Sequence, residues 1–210
     1  MIKFENVQVV NLDGAIRGMR NSWGSHDKSD SRYSFNTDAE EYDYVLGPND
    51  LSLAMKLSKA GADHGKFLRQ ILISVDITAP EYWWKEADTY KVGTAANSTS
   101  MMHTLGRDEL KAEHFSFDNP NDPYVQIYMN LINEVREAWV KSGKKKPSPE
   151  WRRMNQLMSI AYLYTRHFTA NYQVLKNMYH SRKNHRLSEW HDLCDWVETL
   201  PYSELITLKG

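Results

Sequence analysis

The run QILISVDITAP, Gln70 to Pro80, leaves this chain the least freedom. It is short, dense in β-branched side chains and closed by Pro80, which predicts a strand, and a central one in a sheet. MIKFENVQVV at the start of the chain alternates and carries β-branched residues, so it reads as a second strand. Most of the remainder has helical character. Pro48 opens the run LSLAMKLSKAG, which Asn49 or Asp50 is expected to cap, with Leu53, Met55, Leu57 and Ala60 on one side and Gly61 at the end. Pro80 suits the first turn of EYWWKEADTYKV, which leads into GTAANSTS, a small-residue loop suited to a binding corner.

The second half reads as mostly helical. PYVQIYMNLINEVREAWVKSG places Tyr124, Tyr128, Leu131, Val135 and Trp139 at helical spacing. Trp151, Met154, Met158 and Tyr162 begin another helix, after a basic surface loop, Lys144 to Pro149, broken by proline. In LSEWHDLCDWVETL, Leu187, Trp190, Cys194 and Val197 form an apolar stripe, which makes Cys194 a core residue rather than a nucleophile. Gly18 to Phe35, rich in Gly, Ser, Asp and Asn, is either a solvated connector or an ordered loop over a pocket. Arg20, Trp23, His26 and Lys28 are the residues that speak for the second.

Charge and cysteine content exclude several functions. Lys+Arg 26 against Asp+Glu 27 leaves a net charge of -1, so no global field draws the protein to nucleic acid or to an anionic membrane. Any anionic ligand must meet a local cluster. A single cysteine excludes an intramolecular disulfide and a multi-cysteine zinc site. His185 and His191 are six residues apart, on different sides of a helix, and no metal site is expected. No apolar run approaches a membrane span and no cleavable signal pattern opens the chain, which predicts a cytoplasmic protein of one domain over residues 1–210. Gly-rich phosphate loops and a GxSxG elbow are absent.

One stretch carries a more specific pattern. In TANYQVLKNMYHSR, Thr169 to Arg182, a helix would bring Asn171 and Arg182 nearly into line with Val174, Leu175 and Met178, with Asn177 well round the axis. The spacing TxNxxxLxNxxxxR resembles the C-terminal helix of the flavin-dependent thymidylate synthase family. His64 followed by Phe67 resembles the family's His-x-x-Phe before its central strand. The family's RHRxxSxNExSxR corner has its counterpart in TYKVGTAANSTSMM, where Thr89, Tyr90 and Lys91 stand for the arginine, histidine and arginine. Asn97 and Ser100 match there, Ser98 replaces a glutamate, Met102 replaces an arginine, and Gln173 replaces an arginine on the helix. With the GMRNSW and EWHDLCDWVETLPYSELI blocks, the chain looks like a divergent branch found in phages and their bacterial hosts.

The resemblance implies an α/β (α+β) fold, a mainly antiparallel sheet flanked by long helices, assembled as a homotetramer. It implies FAD held by His64, Tyr90, Lys91, Asn171 and Asn177, and a nucleotide held by Asn97, Ser98, Ser100 and Arg182, with Arg182 also catalytic. The implied reaction is methylation of dUMP to dTMP with methylenetetrahydrofolate and NADPH. Lys91, Arg69, Arg20 and Lys28 are the cations available to replace the missing arginines. A flavoprotein acting on another pyrimidine nucleotide, or a non-catalytic descendant of the fold, are the alternatives the altered corner leaves open.

Overall fold

The structure, a computed structural model, describes residues 2–208. Its elements in chain order are β1 (Lys3–Val10), α1 (Leu12–Met19), β2 (Arg32–Asn36), β3 (Glu41–Val45), α2 (Pro48–Lys59), β4 (Leu72–Pro80), α3 (Glu81–Ala87) and β5 (Ala95–Ser98). They continue with α4 (Met101–Thr104), α5 (Pro123–Lys141), α6 (Pro149–Gln156), β6 (Leu163–Asn171), α7 (Tyr172–Arg182), α8 (Ser188–Glu198) and α9 (Glu204–Thr207). This is an α+β fold with an antiparallel sheet. One sheet has the order β1-β4-β6-β5, so the Gln70–Pro80 run is interior, as its composition predicts. β2 and β3 form a separate antiparallel hairpin with Tyr33 opposite Tyr44 and Phe35 opposite Tyr42. Among the described residues no helix is long and apolar enough to cross a membrane.

The chain divides into two compact units. One holds the start of the chain through Lys3, then Ile77–Thr89 and Asn97–His167; the other holds Phe4–Asp76, Tyr90–Ala96 and everything from Phe168 onward. In the first, Met129, Ile132, Val135 and Trp139 of α5 are buried with Leu105, Leu110, Phe115, Trp151, Met154 and Ala161. The expected stripe on α5 is therefore rotated: Tyr124 is 82% exposed and Leu131 is exposed too, while Val135 and Trp139 hold. In the second, α7 packs on α8, on α9 and on the 3₁₀ turn Gly65–Arg69. Tyr172, Leu175, Trp190, Leu193, Val197 and Leu205 are buried there.

Three expectations need correction. Leu163–Asn171 is an interior strand, not helix, and the helix at Trp151 ends at Gln156. The reason is visible in LYTRHFTAN, where Phe168 and Ala170 are buried and Thr165 and His167 are exposed, a period of two. β5 occupies part of the expected Gly93–Ser100 loop, and α3 stops at Ala87, which leaves Tyr90 and Lys91 outside the helix. The third correction concerns α2. Its N-cap is Gly47, Pro48 is its first residue, and its buried face is Asp50, Ala54 and Ser58 rather than the Leu53–Leu57 side.

Asp50 is therefore no cap. It is fully buried and accepts from Arg20 Nε at 2.6 Å, Ser29 Oγ at 2.7 Å, Asp30 N at 3.2 Å, Ser31 N at 3.1 Å and Ser31 Oγ at 2.6 Å. The orphan N–H groups of α2 are met from the loop: Asn49 N and Asp50 N donate to the Asp30 carboxylate at 2.9 and 3.1 Å. Gly47 is required by proximity, because a Cβ there would lie 2.2 Å from the Asp30 carboxyl carbon and 2.5 Å from its carbonyl oxygen. Burial pushes the Asp50 carboxyl up, but Ser31, Ser29 and Arg20 together hold it below its ordinary value of 3.8. A depressed folded value means that the network contributes fully above pH 3.8 and is lost as pH falls through the lower folded value. Acid unfolding followed by circular dichroism should show that loss below pH 3.8 in wild type, with a weaker dependence over the same range in Asp50→Asn.

Candidate active site

The residues of TANYQVLKNMYHSR begin in a strand and turn into a helix. Thr169 to Asn171 complete β6, and Asn171, extended at φ -129° and ψ 167°, caps α7 by accepting from Val174 N at 3.0 Å. Tyr172 N donates to Ile71 O at 3.0 Å, which fixes where the helix starts. The loop Tyr90–Thr94 runs beside α7. At one end Gly93, at φ +80°, approaches the cap so closely that a Cβ would lie 3.1 Å from Asn171 Nδ2 and 3.2 Å from Val174 Cγ2. At the other end Tyr90 Oη accepts from Arg182 Nε at 3.0 Å. Val174 to Arg182 rises about 12 Å, a span that four residues of extended chain and the Tyr90 side chain can cover. Thr94 Oγ1 donates to Tyr90 O at 2.6 Å and closes the loop on itself.

Arg182 is held from two sides. Its guanidinium carbon lies 4.6 Å from the centre of a Trp190 ring and 5.6 Å from that of Tyr90, and the two rings meet edge to face at 6.1 Å. His185 stands at 6.1 Å from Trp190. A guanidinium against two adjoining aromatic rings is oriented as well as charged, since cation–π contacts contribute about 0.5–2 kcal/mol each. Trp190 was legible only as core; its place in the i, i+4 stripe gave no sign that one face of the ring would meet Arg182.

A second polar edge of α7 faces another element. Asn177 is exposed, and its Oδ1 accepts from Gln173 Nε2 at 3.0 Å. Gln173 Oε1 would lie 3.7 Å from a Cβ on Gly65, beside His64. His64 in turn lines a cleft of about 900 Å³ with Arg20, Trp23, Lys28, Leu53 and Lys66. Of the Gly18–Phe35 stretch, Gly18 and Met19 end α1, Arg32 to Phe35 lie in β2, and the residues between are an ordered loop beside the cleft with 3₁₀ turns at Asn21–Trp23 and His26–Lys28. Lys66, which sequence reasoning did not single out, joins this wall two residues after His64. Lys91 is exposed beside Tyr90.

Asn97, Ser98 and Ser100 belong to the other unit. Asn97 and Ser98 are exposed on β5, the last strand of its sheet, and Thr99 N ties the strand's end to Thr165 O at 2.9 Å. Ser100 precedes α4, and its carbonyl accepts from Thr104 Oγ1 at 2.9 Å. Met102, half exposed, stands where a cation is expected, but its carbonyl accepts from Lys146 Nζ at 2.7 Å. In the same unit Arg166 pairs with Asp88 at 2.8 Å and lies 4.3 Å over Trp84, which fixes the chain just before Thr89.

Cys194 is buried, and burial, followed by the charges of Asp195 and Glu198, pushes its thiol up to about 11. That is a core cysteine, as the stripe predicts. His191 Nε2 lies 2.8 Å from His185 O, so that ring engages backbone.

No protein-family model matches the sequence, and no curated protein matches it. Solved structures match in fold. A crystal structure of thymidylate synthase X (ThyX) from Helicobacter pylori with FAD and dUMP has a TM-score of 0.74 at 16% identity, covering 99% of this chain and 97% of that one. Another ThyX structure from that organism, also complexed with FAD and dUMP, gives 0.74 at 16% identity over 98% and 97%. The UMP/dUMP methylase PolB from Streptomyces cacaoi, bound with 5-Br dUMP, gives 0.66 at 16% identity over 100% and 96%. The fold implied by the family resemblance is the fold of this chain.

Two outcomes check the local geometry. Gly93→Ala should cost about 1–2 kcal/mol, because an L-residue is strained at positive φ; urea unfolding measures it. Cys194 should react with a thiol reagent at pH 8 only at the rate of unfolding.

Proposed function

We propose that this protein is a flavin-dependent enzyme that methylates dUMP to dTMP, with methylenetetrahydrofolate as carbon donor and NADPH as reductant. The observation that carries the reading is Arg182, held against Tyr90 and Trp190 at the end of a helix whose first turn Asn171 caps. The matching ThyX structures contain FAD and dUMP, and PolB is named a UMP/dUMP methylase.

The donor set fits FAD. Asn177 and Lys91 are exposed, the Tyr90 ring is half-buried, and His64 opens on a cleft with cationic walls. These residues, with the Asn171 corner, would hold the cofactor. When bound and reduced by NADPH, the flavin would supply the hydride, and that chemistry belongs to the cofactor. The protein's share is position and charge. Arg182 can donate two parallel hydrogen bonds to a pyrimidine edge, which stabilises negative charge developing on a ring carbonyl. The rings that flank it restrict its rotamers before substrate arrives, so less ordering is left to binding. Asn97, Ser98 and Ser100 supply neutral donors for the nucleotide. A homotetramer in the cytoplasm completes the reading.

A second reading, methylation of another pyrimidine nucleotide, is favoured by Met102, an apolar side chain where an anion-binding one is expected. UMP assayed beside dUMP separates the two. FAD titration of apo-protein should saturate at or below tens of micromolar, with weaker binding in Asn177→Ala. Arg182→Lys should lower release of label from carbon 5 of dUMP more than tenfold with flavin occupancy unchanged. Equal rates would remove Arg182 from catalysis, and failure of wild type to bind FAD would favour the non-catalytic descendant. Light scattering should give four times the 24.5 kDa chain mass.

A further inference from the structure

The β2–β3 hairpin carries aromatic rings that packing within its unit does not consume. Tyr33 is 57% exposed and Tyr42 69%, and Phe35, edge to face with Tyr42 at 5.2 Å, is exposed as well. Tyr33 stands opposite Tyr44 and Phe35 opposite Tyr42, so the four rings share one face of the hairpin. Grouped aromatic surface left in water marks an interaction site.

Tyr33, Tyr42 and Tyr44 line a cavity of about 610 Å³, closed on another side by Tyr202. Tyr202 Oη accepts from Leu46 N at 2.8 Å, one residue past β3, which fixes that wall. Three carboxylates, Asp13, Glu41 and Asp43, also line the cavity, and no lysine, arginine or histidine does. All of these residues belong to one unit. Among the described residues none of the three carboxylates forms an ion pair. Asp13 accepts instead from Tyr33 Oη at 2.7 Å and Asp43 from Asn36 Nδ2 at 2.8 Å, neutral donors that orient a carboxylate and leave its charge in place. The Tyr33 hydroxyl and the Gly14 N–H hold the Asp13 carboxyl below its ordinary value of 3.8, so it is ionised at neutral pH. Asp13 also borders a smaller cavity with Arg17, Arg20 and His26, but none of these pairs with it, and Arg20 is taken by Asp50.

Glu41 to Val45 all line the larger cavity. Consecutive strand residues do so together only along the strand's edge, because their side chains alternate between faces. β3 is paired by β2 alone, so this is its unpaired edge. Among the described residues no group of carboxylates and histidines could hold a metal ion. Ring faces and separate carboxylates together suit a cation with an organic body, whose charge meets the carboxylate and whose alkyl part covers the ring.

We propose that this cavity is a binding site for an organic cation, an alkylammonium or guanidinium group lying on the rings of Tyr33, Tyr42 and Tyr44 with Asp13 as counter-charge. None of these residues is among those assigned to flavin or nucleotide, and the proposal does not rest on that assignment. Two sources share the chemistry: a free polyamine, and a lysine or arginine side chain of an extended polypeptide, to which the β3 edge adds backbone hydrogen bonds.

Calorimetric titration of the full-length protein compares spermidine with acetylated, amidated trilysine, which carries the same number of charges. At least one of them should saturate a single site per chain, while octanediol, a neutral chain of similar length, should not bind. Spermidine binding at least as tightly as the peptide identifies a free polyamine; a peptide bound at least tenfold more tightly, with that advantage lost on methylation of its backbone amides, identifies a polypeptide. Affinity for the tighter ligand should fall about threefold or more in Tyr42→Ala and return in Tyr42→Phe. Asp13→Asn, which keeps an acceptor for Tyr33, should weaken binding about fivefold, and raised salt should weaken it in wild type. If Asp13→Asn does not fold, Glu41→Gln at the exposed end of β3 takes its place, with a smaller loss expected.

Equal affinity in wild type and Tyr42→Ala overturns the proposal, since carboxylates attracting any counter-ion would behave in that way. Displacement of the ligand by magnesium ion at equal concentration overturns it for the same reason. Failure of both spermidine and trilysine to bind wild type overturns it outright.

Discussion

A carboxylate taken fully out of water has to be met by donors or it will not stay charged, and Asp50 is met by five. Three of the groups that meet it, Ser29, Asp30 and Ser31, come from one loop, and the fourth, Arg20, comes from the start of the same loop. Satisfying one buried charge thereby fixes a segment with little apolar content of its own. The consequences spread outward: Asp30 is brought over the first turn of α2, Ser31 Oγ accepts from Gly47 N at 3.1 Å, and the Gly18–Lys28 stretch becomes a wall rather than a tether. Without that ion pair the chain would have a helix start with unmet N–H groups and a rim with nothing to hold it.

The α7 corner works by a different device. Its ends are fixed by two side chains of the helix itself, the Asn171 amide at the first turn and the Arg182 guanidinium at the last. A single short loop, Tyr90–Thr94, touches both. The loop's conformation and the helix's orientation are therefore one variable rather than two, and Gly93 is the point where the backbone must come close enough for this to hold.

Legibility in the sequence followed the physics of each segment. Gln70–Pro80 was readable because burial of an interior strand leaves a dense β-branched run, and Pro123–Lys141 because a nineteen-residue helix repeats its pattern many times. Leu163–Asn171 was not, since Tyr164 and Phe168, four residues apart, also fit a helical face over so few turns, and only pairing with β4 and β5 decides the matter. Asp50 was misread for a related reason. A buried carboxylate looks like a helix cap in sequence, and the sign of its burial, its i, i+4, i+8 register with Ala54 and Ser58, is carried by two small residues. The residues of the α7 corner were found by their spacing; Trp190 was found but assigned to the core, because a stripe does not say which ring face is left for a cation. Lys66 had no signal beyond its nearness to His64.

The second unit is assembled from three stretches of chain, the last of which begins at Phe168. A chain made from its N-terminus at about 5–20 residues per second therefore has Ile16, Phe67, Leu68 and Ile71 for some seconds before it has Tyr172, Leu175 and Leu205, which are buried in the same unit. Contacts this distant in sequence also close slowly once both parts exist. Over that interval the early apolar side chains lack the cover that the C-terminal stretch gives them in the folded unit.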